Sequence, residues 1–285
     1  MSITRVGIIG SGIMGAGIAE VAAANGHDVV LRSRSTQGAE AMVAGLAKSL
    51  AKQVEKGKRT EEEAAAISGR VTATTHLGEL VDVDLVIESV VEDLGVKKDL
   101  FAELDSICKP DTILATNTST LPVVEMAMAT ARPERVCGIH FFNPAPAMAL
   151  VEVVRPITAS DATVEAAVAF AAACGKDPVE VKDQAGFIVN ALLFPYLNNA
   201  VRLLEQGVAT KEGIDSAMKG GCGFPMGPFA LLDLVGLDTS LAILDALYDE
   251  FRDPNYAAMP LLRRMVTAGQ LGRKSGLGFY DYARK

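Results

Sequence analysis

Two rhythms of apolar and polar positions divide this chain. Up to about residue 183, short apolar runs alternate with longer stretches whose apolar positions recur every three or four residues. The runs 6–9, 29–31, 71–74, 85–88, 113–115, 136–142, 150–154 and 179–181 are bounded by turn residues and read as strands. Residues 13–24, 39–56, 60–67 and 96–107 carry the helical period between them. Strands alternating with helices predict a parallel sheet with helices on both faces. The pieces 39–56 and 60–67 together exceed a usual crossover, so they predict a helical hairpin inserted into the pattern. Thr60 is its internal cap, with Glu61 to Glu63 in the first turn that follows. Beyond residue 183 the strand rhythm stops. Residues 187–206, 211–218, 230–250 and 260–268 all read as helices, and the glycine- and proline-rich segment 220–228 divides the second from the third. The expectation is an α/β domain over 1–184 and an all-helical domain over 185–285.

The first strand runs into Gly10, Ser11, Gly12, Ile13, Met14 and Gly15, a G-x-G-x-x-G pattern that opens an Ala-rich helix. That order of strand, glycine turn and helix is the fingerprint of a dinucleotide site. Gly10 permits the tight turn, Gly12 lets backbone approach a pyrophosphate, and Gly15 lets helix and strand pack closely. The N–H groups at the helix start face the phosphates. The expected fold is therefore a Rossmann-type doubly wound sheet.

Composition narrows the partners. The chain of 285 residues is 49% hydrophobic and carries a net charge of -8 with no basic block. That argues against nucleic acid or an anionic membrane as partner. No apolar run is long enough to span a bilayer, and the first strand begins too early to leave room for a secretion signal. Cys108, Cys137, Cys174 and Cys222 are scattered, with neither metal-ligand spacing nor a disulfide framework. Free thiols in a reducing cytoplasm are expected.

Ligands of open α/β sheets bind at the carboxyl ends of the strands. The polar segment 116–120 lies at one such end, His140 at another, and Glu152 on the next strand. The short connection 144–149 is of hairpin length and would bring His140 beside Glu152. A histidine held by a carboxylate moves protons near neutral pH. Taken singly, His140 also reads as a core histidine, Glu152 as an edge carboxylate and Ser119 as a helix cap. Behind a dinucleotide fold the combination points to hydride transfer, because an alcohol needs a base. Lys48, Lys52 and Lys56 share one helix face, which alone reads as a solvated face. His27 and His76 look like loop histidines without a role.

Several segments together resemble the short-chain 3-hydroxyacyl-CoA dehydrogenases of the 3-hydroxybutyryl-CoA type. They are VGIIGSGIMGAGIAEVAA at the start, DLVIESVVED at 84–93, ATNTST at 115–120 and GIHFFNPAPAMALVEVV at 138–154. GFIVNALLFPYLNNAVRLLEQGVAT at 186–210, GFPMGPFALLDLVGLD at 223–238 and GQLGRKSGLGFYDY at 269–282 complete the set. The resemblance implies that His140 is the catalytic base and Glu152 its partner, with Ser119 and Asn190 on substrate oxygens. It places Glu92, Lys97, Asn117, Asn143 and Lys274 on the nicotinamide nucleotide, and Ser49 and Lys56 on coenzyme A. It further implies a homodimer built through the helical domain. The chain departs from the family pattern at Ala191, Ala230 and Thr120, and most at the end of the second strand. There the family's acidic residue for the adenosine ribose is replaced by Arg32-Ser33-Arg34. Loss of a carboxylate and gain of two guanidinium forks favour NADP(H) over NAD(H). The implied activity is reversible hydride transfer at C3 of a short acyl-CoA. The alternatives are a dehydrogenase of free β-hydroxyacids, which would want a catalytic lysine where Asn190 stands, or a non-catalytic protein on the same scaffold.

Overall fold

A computed structural model describes residues 3–283 and divides them into two compact units, one ending at Gln184 and the other beginning at Ala185. The first contains one eight-stranded sheet in the order β3-β2-β1-β4-β5-β6-β7-β8. Its strands are β1 (Arg5–Ile9), β2 (Asp28–Arg32), β3 (Val71–Thr74), β4 (Leu85–Glu88), β5 (Ile113–Thr116), β6 (Val136–Phe141), β7 (Leu150–Arg155) and β8 (Asp177–Lys182). Strands β1 to β6 are parallel, β7 is antiparallel to β6, and β8 follows β7. The sheet is thus mixed rather than wholly parallel, because the connection 142–149 turns the chain straight back.

The helices of this unit are α1 (Ile13–Ala24), α2 (Thr36–Glu55), α3 (Glu61–Gly69), α4 (Leu94–Ile107), α5 (Val123–Ala127) and α6 (Asp161–Ala173). Strands β4, β5 and β6 are buried along their whole length, which is why they read as unbroken apolar runs. Helix α2 begins at Thr36, three residues before the periodicity predicts, because the Ser35 hydroxyl caps it by accepting the Gly38 N–H at 3.1 Å. It buries Met42, Leu46 and Leu50, one side chain per turn. Helix α3 opens with a full capping box. Thr60 accepts the Glu63 N–H at 3.1 Å, and the Glu63 carboxylate accepts the Thr60 N–H at 2.8 Å. At the amino edge of the sheet, Asp84 accepts from the Thr4 N–H and hydroxyl, the Arg5 N–H and the Lys109 ammonium.

The second unit is helical: α7 (Val189–Glu205), α8 (Lys211–Cys222), α9 (Pro228–Val235), α10 (Leu237–Phe251) and α11 (Pro260–Thr267). Among its described residues the only extended pairing is a pair of isolated bridges at Gly272, Leu277 and Asp281. Phe194, Leu197, Phe229, Leu232, Leu244, Leu262 and Phe279 belong to its core. The stretch 230–250, expected as one helix, is two. Gly236 has φ +100°, a backbone state that side chains resist, and it breaks the chain between α9 and α10. Two buried carboxylates organise the rest. Asp215 accepts the Phe229 and Ala230 N–H groups at the start of α9, and Asp233 accepts those of Phe279 and Tyr280.

Candidate active site

Strand β1 pairs with β2 on one side and β4 on the other, so the strand order switches direction there. A cleft of about 280 Å³ opens beyond the carboxyl ends, lined by residues 9–12, Arg32, Arg34 and residues 89–91. The glycines have separate reasons. A Cβ on Gly10 would lie 2.1 Å from the Ser89 carbonyl, and one on Gly15 would lie 2.1 Å from that of Gly10. Gly12 faces open space. No side chain caps the start of α1, which leaves its first N–H groups for a ligand. Ile13 is 77% exposed at the start of α1, and Met14 packs on the core.

Of Arg32, Ser33 and Arg34 at the end of β2, only the arginines line the cleft. Ser33 is buried and turned toward Gly38, with its hydroxyl accepting the Ser35 N–H at 3.4 Å, and it does not line the cleft. Arg32 Nε is buried without a hydrogen-bond partner among the described residues. Burial lowers the proton affinity of this guanidinium; Glu103 opposes that and Arg34 adds to it. Among the described residues, no carboxylate lines the cleft. Glycine-floored space, a bare helix start and two guanidinium groups fit a phosphate-bearing dinucleotide.

His140 and Glu152 are register partners across the β6–β7 ladder. Their side chains meet at 2.8 Å between Nδ1 and Oε2, and both residues are buried. An ionised Glu152 only accepts, so Nδ1 carries the proton and donates it. The Phe142 ring lies 4.5 Å from the imidazole, centroid to centroid. The connection behind the pair is stapled by Lys176, whose buried ammonium donates to the Ala145 and Met148 carbonyls at 2.7 and 2.8 Å. Asn143 is exposed on that connection, and its peptide bond to Pro144 is cis.

A second buried cluster joins the ends of β4 and β5. The Lys97 ammonium donates to both Glu88 oxygens at 2.7 and 2.9 Å and lies 3.2 Å from Glu92. Thr116 donates to Glu88 at 2.8 Å. Glu92 in turn accepts from the Thr118 hydroxyl and, at 3.0 Å, from the Ser119 N–H. The structure therefore joins Lys97, Glu92 and Ser119 in one chain of contacts, anchored on a glutamate that sequence reasoning does not single out. Its signal is a lone acid closing an apolar strand, nine positions before a lysine. Asn117 accepts the Phe141 N–H at 2.8 Å and ties the loop after β5 to the strand that carries His140.

The remaining candidates fall on other elements. Ser49 is half-buried on α2, and Lys56, just past its end, is exposed. Asn190 is buried in the first turn of α7, and Lys274 pairs with Asp238 at 2.5 Å, both in the second unit. His27 lies on the loop between α1 and β2, as expected, and is buried there with its ring tilted against Phe170 at 5.1 Å between centroids. No described helix is long and apolar enough to cross a membrane, and no metal-ligating cluster occurs among the described residues.

Comparison with known proteins agrees with this layout. Residues 5–184 match the model of the 3-hydroxyacyl-CoA dehydrogenase NAD binding domain, and residues 186–282 that of the 3-hydroxyacyl-CoA dehydrogenase C-terminal domain. A 3-hydroxybutyryl-CoA dehydrogenase of Clostridioides difficile is 50% identical over 98% of this chain and 99% of its own. The crystal structure of Mycobacterium tuberculosis FadB2 superposes with a TM-score of 0.97 at 48% identity, covering 99% of this chain and 100% of that one. That of (S)-3-hydroxybutyryl-CoA dehydrogenase PaaH1 from Ralstonia eutropha gives 0.96 at 43%, covering 99% of each.

Proposed function

The chain belongs to the 3-hydroxyacyl-CoA dehydrogenase family, and from that premise we propose that it interconverts 3-hydroxybutyryl-CoA and acetoacetyl-CoA with NADP(H), using His140 and Glu152 as its acid–base pair. The observation that carries the chemistry is the 2.8 Å contact between a buried imidazole and a buried carboxylate on adjacent strands. Because Nδ1 is engaged with Glu152, proton exchange with the substrate runs through Nε2. In oxidation, His140 removes the C3 hydroxyl proton as the C–O double bond forms. The bound nicotinamide supplies the acceptor for the C3 hydride. Glu152 stabilises the imidazolium that results, and in reduction the imidazolium returns its proton to the carbonyl oxygen. Ser119, held at its N–H by Glu92, offers its hydroxyl to the same oxygen. Turnover of acetoacetyl-CoA, followed by loss of reduced-nicotinamide absorbance, tests the activity. Absence of turnover with both cofactors would refute it.

The preference for NADP(H) rests on Arg32 and Arg34 in a cleft lined, among the described residues, by no carboxylate. A ribose-binding acid would repel the extra phosphate, whereas two guanidinium groups bind it. The inward turn of Ser33 leaves the two arginines as the discriminating groups. Arg34→Ala should cut kcat/KM for NADPH by roughly tenfold, the scale of one charge-assisted hydrogen bond, and leave NADH nearly unaffected. A wild-type preference for NADH would overturn the assignment. For assembly, Leu192, Leu203, Val208 and Leu234 are exposed on the second unit and favour a two-fold homodimer. Light scattering showing a strict monomer at micromolar concentration would exclude it. The four cysteines are free thiols, which suits the cytoplasm.

A further inference from the structure

Glu88 has no part in the chemistry above, yet it is fully buried at the carboxyl end of β4, a strand paired on both sides. Its two oxygens take four hydrogen bonds. Oε1 accepts the Val90 N–H at 2.5 Å and the Lys97 ammonium at 2.7 Å. Oε2 accepts the same ammonium at 2.9 Å and the Thr116 hydroxyl at 2.8 Å. A carboxylate offers about four lone-pair sites, so Glu88 is filled by protein and keeps none for a ligand. Each donor leads onward. Val90 lines the dinucleotide cleft, and its neighbour Ser89 donates its N–H to the Ile9 carbonyl at 2.7 Å. The Thr116 hydroxyl, while donating to Glu88, accepts the Thr118 N–H at 3.1 Å. Lys97 is 1% exposed and has a third acceptor, Glu92 Oε2, at 3.2 Å. Three acceptors match the three protons of an ammonium. Glu92 Oε1 then accepts from the Thr118 hydroxyl and the Ser119 N–H. Two routes therefore run from one buried carboxylate to the loop that carries Ser119, and a third runs to the wall of the cleft.

We propose that Glu88 is a positioning residue for hydride transfer: through Thr116, and through Lys97 and Glu92, it holds the Ser119 hydroxyl on the C3 oxygen, in register with a cleft wall fixed by the same carboxylate. This rests on the reading of Ser119 given above and supplies the reason that its hydroxyl is aimed. Ser119 is half-buried in the loop between β5 and α5, where its own packing fixes it only loosely. A reacting group displaced by about 1 Å can cost about a hundredfold in rate. Tethers to a buried charge at the end of a central strand remove that freedom before the substrate arrives. Glu88 acts on the chemical step through Ser119 and not by touching substrate or cofactor.

The test is a double-mutant cycle on kcat for acetoacetyl-CoA reduction at saturating cofactor. Ser119→Ala alone should lower kcat roughly tenfold, the scale of one hydrogen bond to an oxygen that gains charge. Glu88→Gln turns an amide N–H toward groups that themselves donate, and should lower kcat by a similar factor. KM for the cofactor should stay within about threefold of wild type, because the amide oxygen still accepts the Val90 N–H. Glu88→Gln leaves a buried ammonium short of a counter-charge, which weakens the fold. The pair Glu88→Gln/Lys97→Met removes both charges together, so it keeps the fold while losing the arm to Glu92, and its kcat should be as low. Thermal unfolding curves check that both proteins are folded at the assay temperature. Adding Ser119→Ala to either background should then cost less than about threefold, because the hydroxyl it removes is already misplaced. A purely structural Glu88 would leave the loss from Ser119→Ala at its full roughly tenfold value. Independent, multiplying effects, or wild-type kcat in the Glu88→Gln/Lys97→Met protein, would overturn the assignment of Glu88. Wild-type kcat in Ser119→Ala alone would instead overturn the placement of Ser119 on the substrate oxygen, and the proposal that starts from it.

Discussion

Replacing Glu152 by glutamine isolates the electrostatic half of the proposed acid–base pair. The amide is nearly isosteric, and its oxygen can still accept the Nδ1 proton at the observed 2.8 Å. The neutral ground state of His140 therefore loses little. What is lost is the attraction between a carboxylate and the imidazolium formed when the substrate proton arrives. Upgrading a neutral hydrogen bond to a charged one is worth about 1–2 kcal/mol. Coulomb's law gives an upper figure of about 4 kcal/mol for unit charges about 4 Å apart at an effective dielectric of about 20. Both partners are buried, so the true value should fall well inside that bracket, about 2–3 kcal/mol. That corresponds to a fall in kcat of roughly 30- to 150-fold. KM for 3-hydroxybutyryl-CoA, the substrate of the oxidation in which that imidazolium forms, should stay nearly constant, because the contact does not touch the substrate's binding handle. Steady-state turnover at saturating cofactor reads the effect, and a thermal unfolding curve checks that the fold is retained. A variant that keeps kcat within threefold of wild type, or that loses activity only through KM, would refute the reasoning.

Other perturbations follow from groups described above. Lys97→Met would leave the Glu88 carboxylate buried and unpaired, at a cost of about 3–5 kcal/mol; a denaturant midpoint equal to wild type would contradict that pairing. Gly236→Ala forces a side chain into φ +100° and within 3.2 Å of Lys274 Cε, so a loss of about 1–3 kcal/mol is expected in chemical unfolding. Asp84 gives an acid dependence. Burial would raise its pKa, but the Lys109 ammonium, the Arg5 and Thr4 N–H groups and the Thr4 hydroxyl together hold it well below the usual carboxylate range. A depressed carboxylate stabilises the fold fully above its unfolded pKa of about 3.9, and that contribution drains away as the pH falls through the folded value. Asp84→Asn should therefore be less stable than wild type near neutrality, with the gap closing in increasingly acidic buffer; a gap independent of pH would dismiss the ionised pairing.

The parts of this molecule that sequence made legible are those governed by local rules. The glycine turn after β1 is written in residue type, and so is the capping box at Thr60. The His140–Glu152 juxtaposition was readable because a short connection between two apolar runs leaves few places for the second run to go. Features decided by the surroundings were not readable in the same way. Helix α6 is buried among Val164, Ala167, Phe170 and Ala171 and shows little amphipathic contrast, although Ser160 caps it. The break at Gly236 lies inside a stretch whose helical period continues on both sides, and only the backbone angle reveals it. Ser33 followed a strand in the expected place, yet its side chain turned inward beneath the start of α2. Lys97 and Lys176 look like ordinary helix and loop lysines. Their burial depends on carboxylates or carbonyls contributed from distant positions.

The two-strand seating of His140 and Glu152 also bears on how this protein can change over generations. Side chains on a strand alternate between faces, so a slip of one position between β6 and β7 would send one member of the pair through the sheet to the opposite side. The number of residues around the turn at 142–149 is thus part of the chemistry, and Lys176 closes that turn from behind. Helices α2 and α3 are under no such constraint. They are capped by their own Ser35 and Thr60, and a lengthened hairpin would leave every pairing in the sheet as it was. Insertions and deletions should therefore accumulate in the α2–α3 hairpin and be purged from the turn between β6 and β7, so that one surface can vary while the His140–Glu152 pairing stays in register.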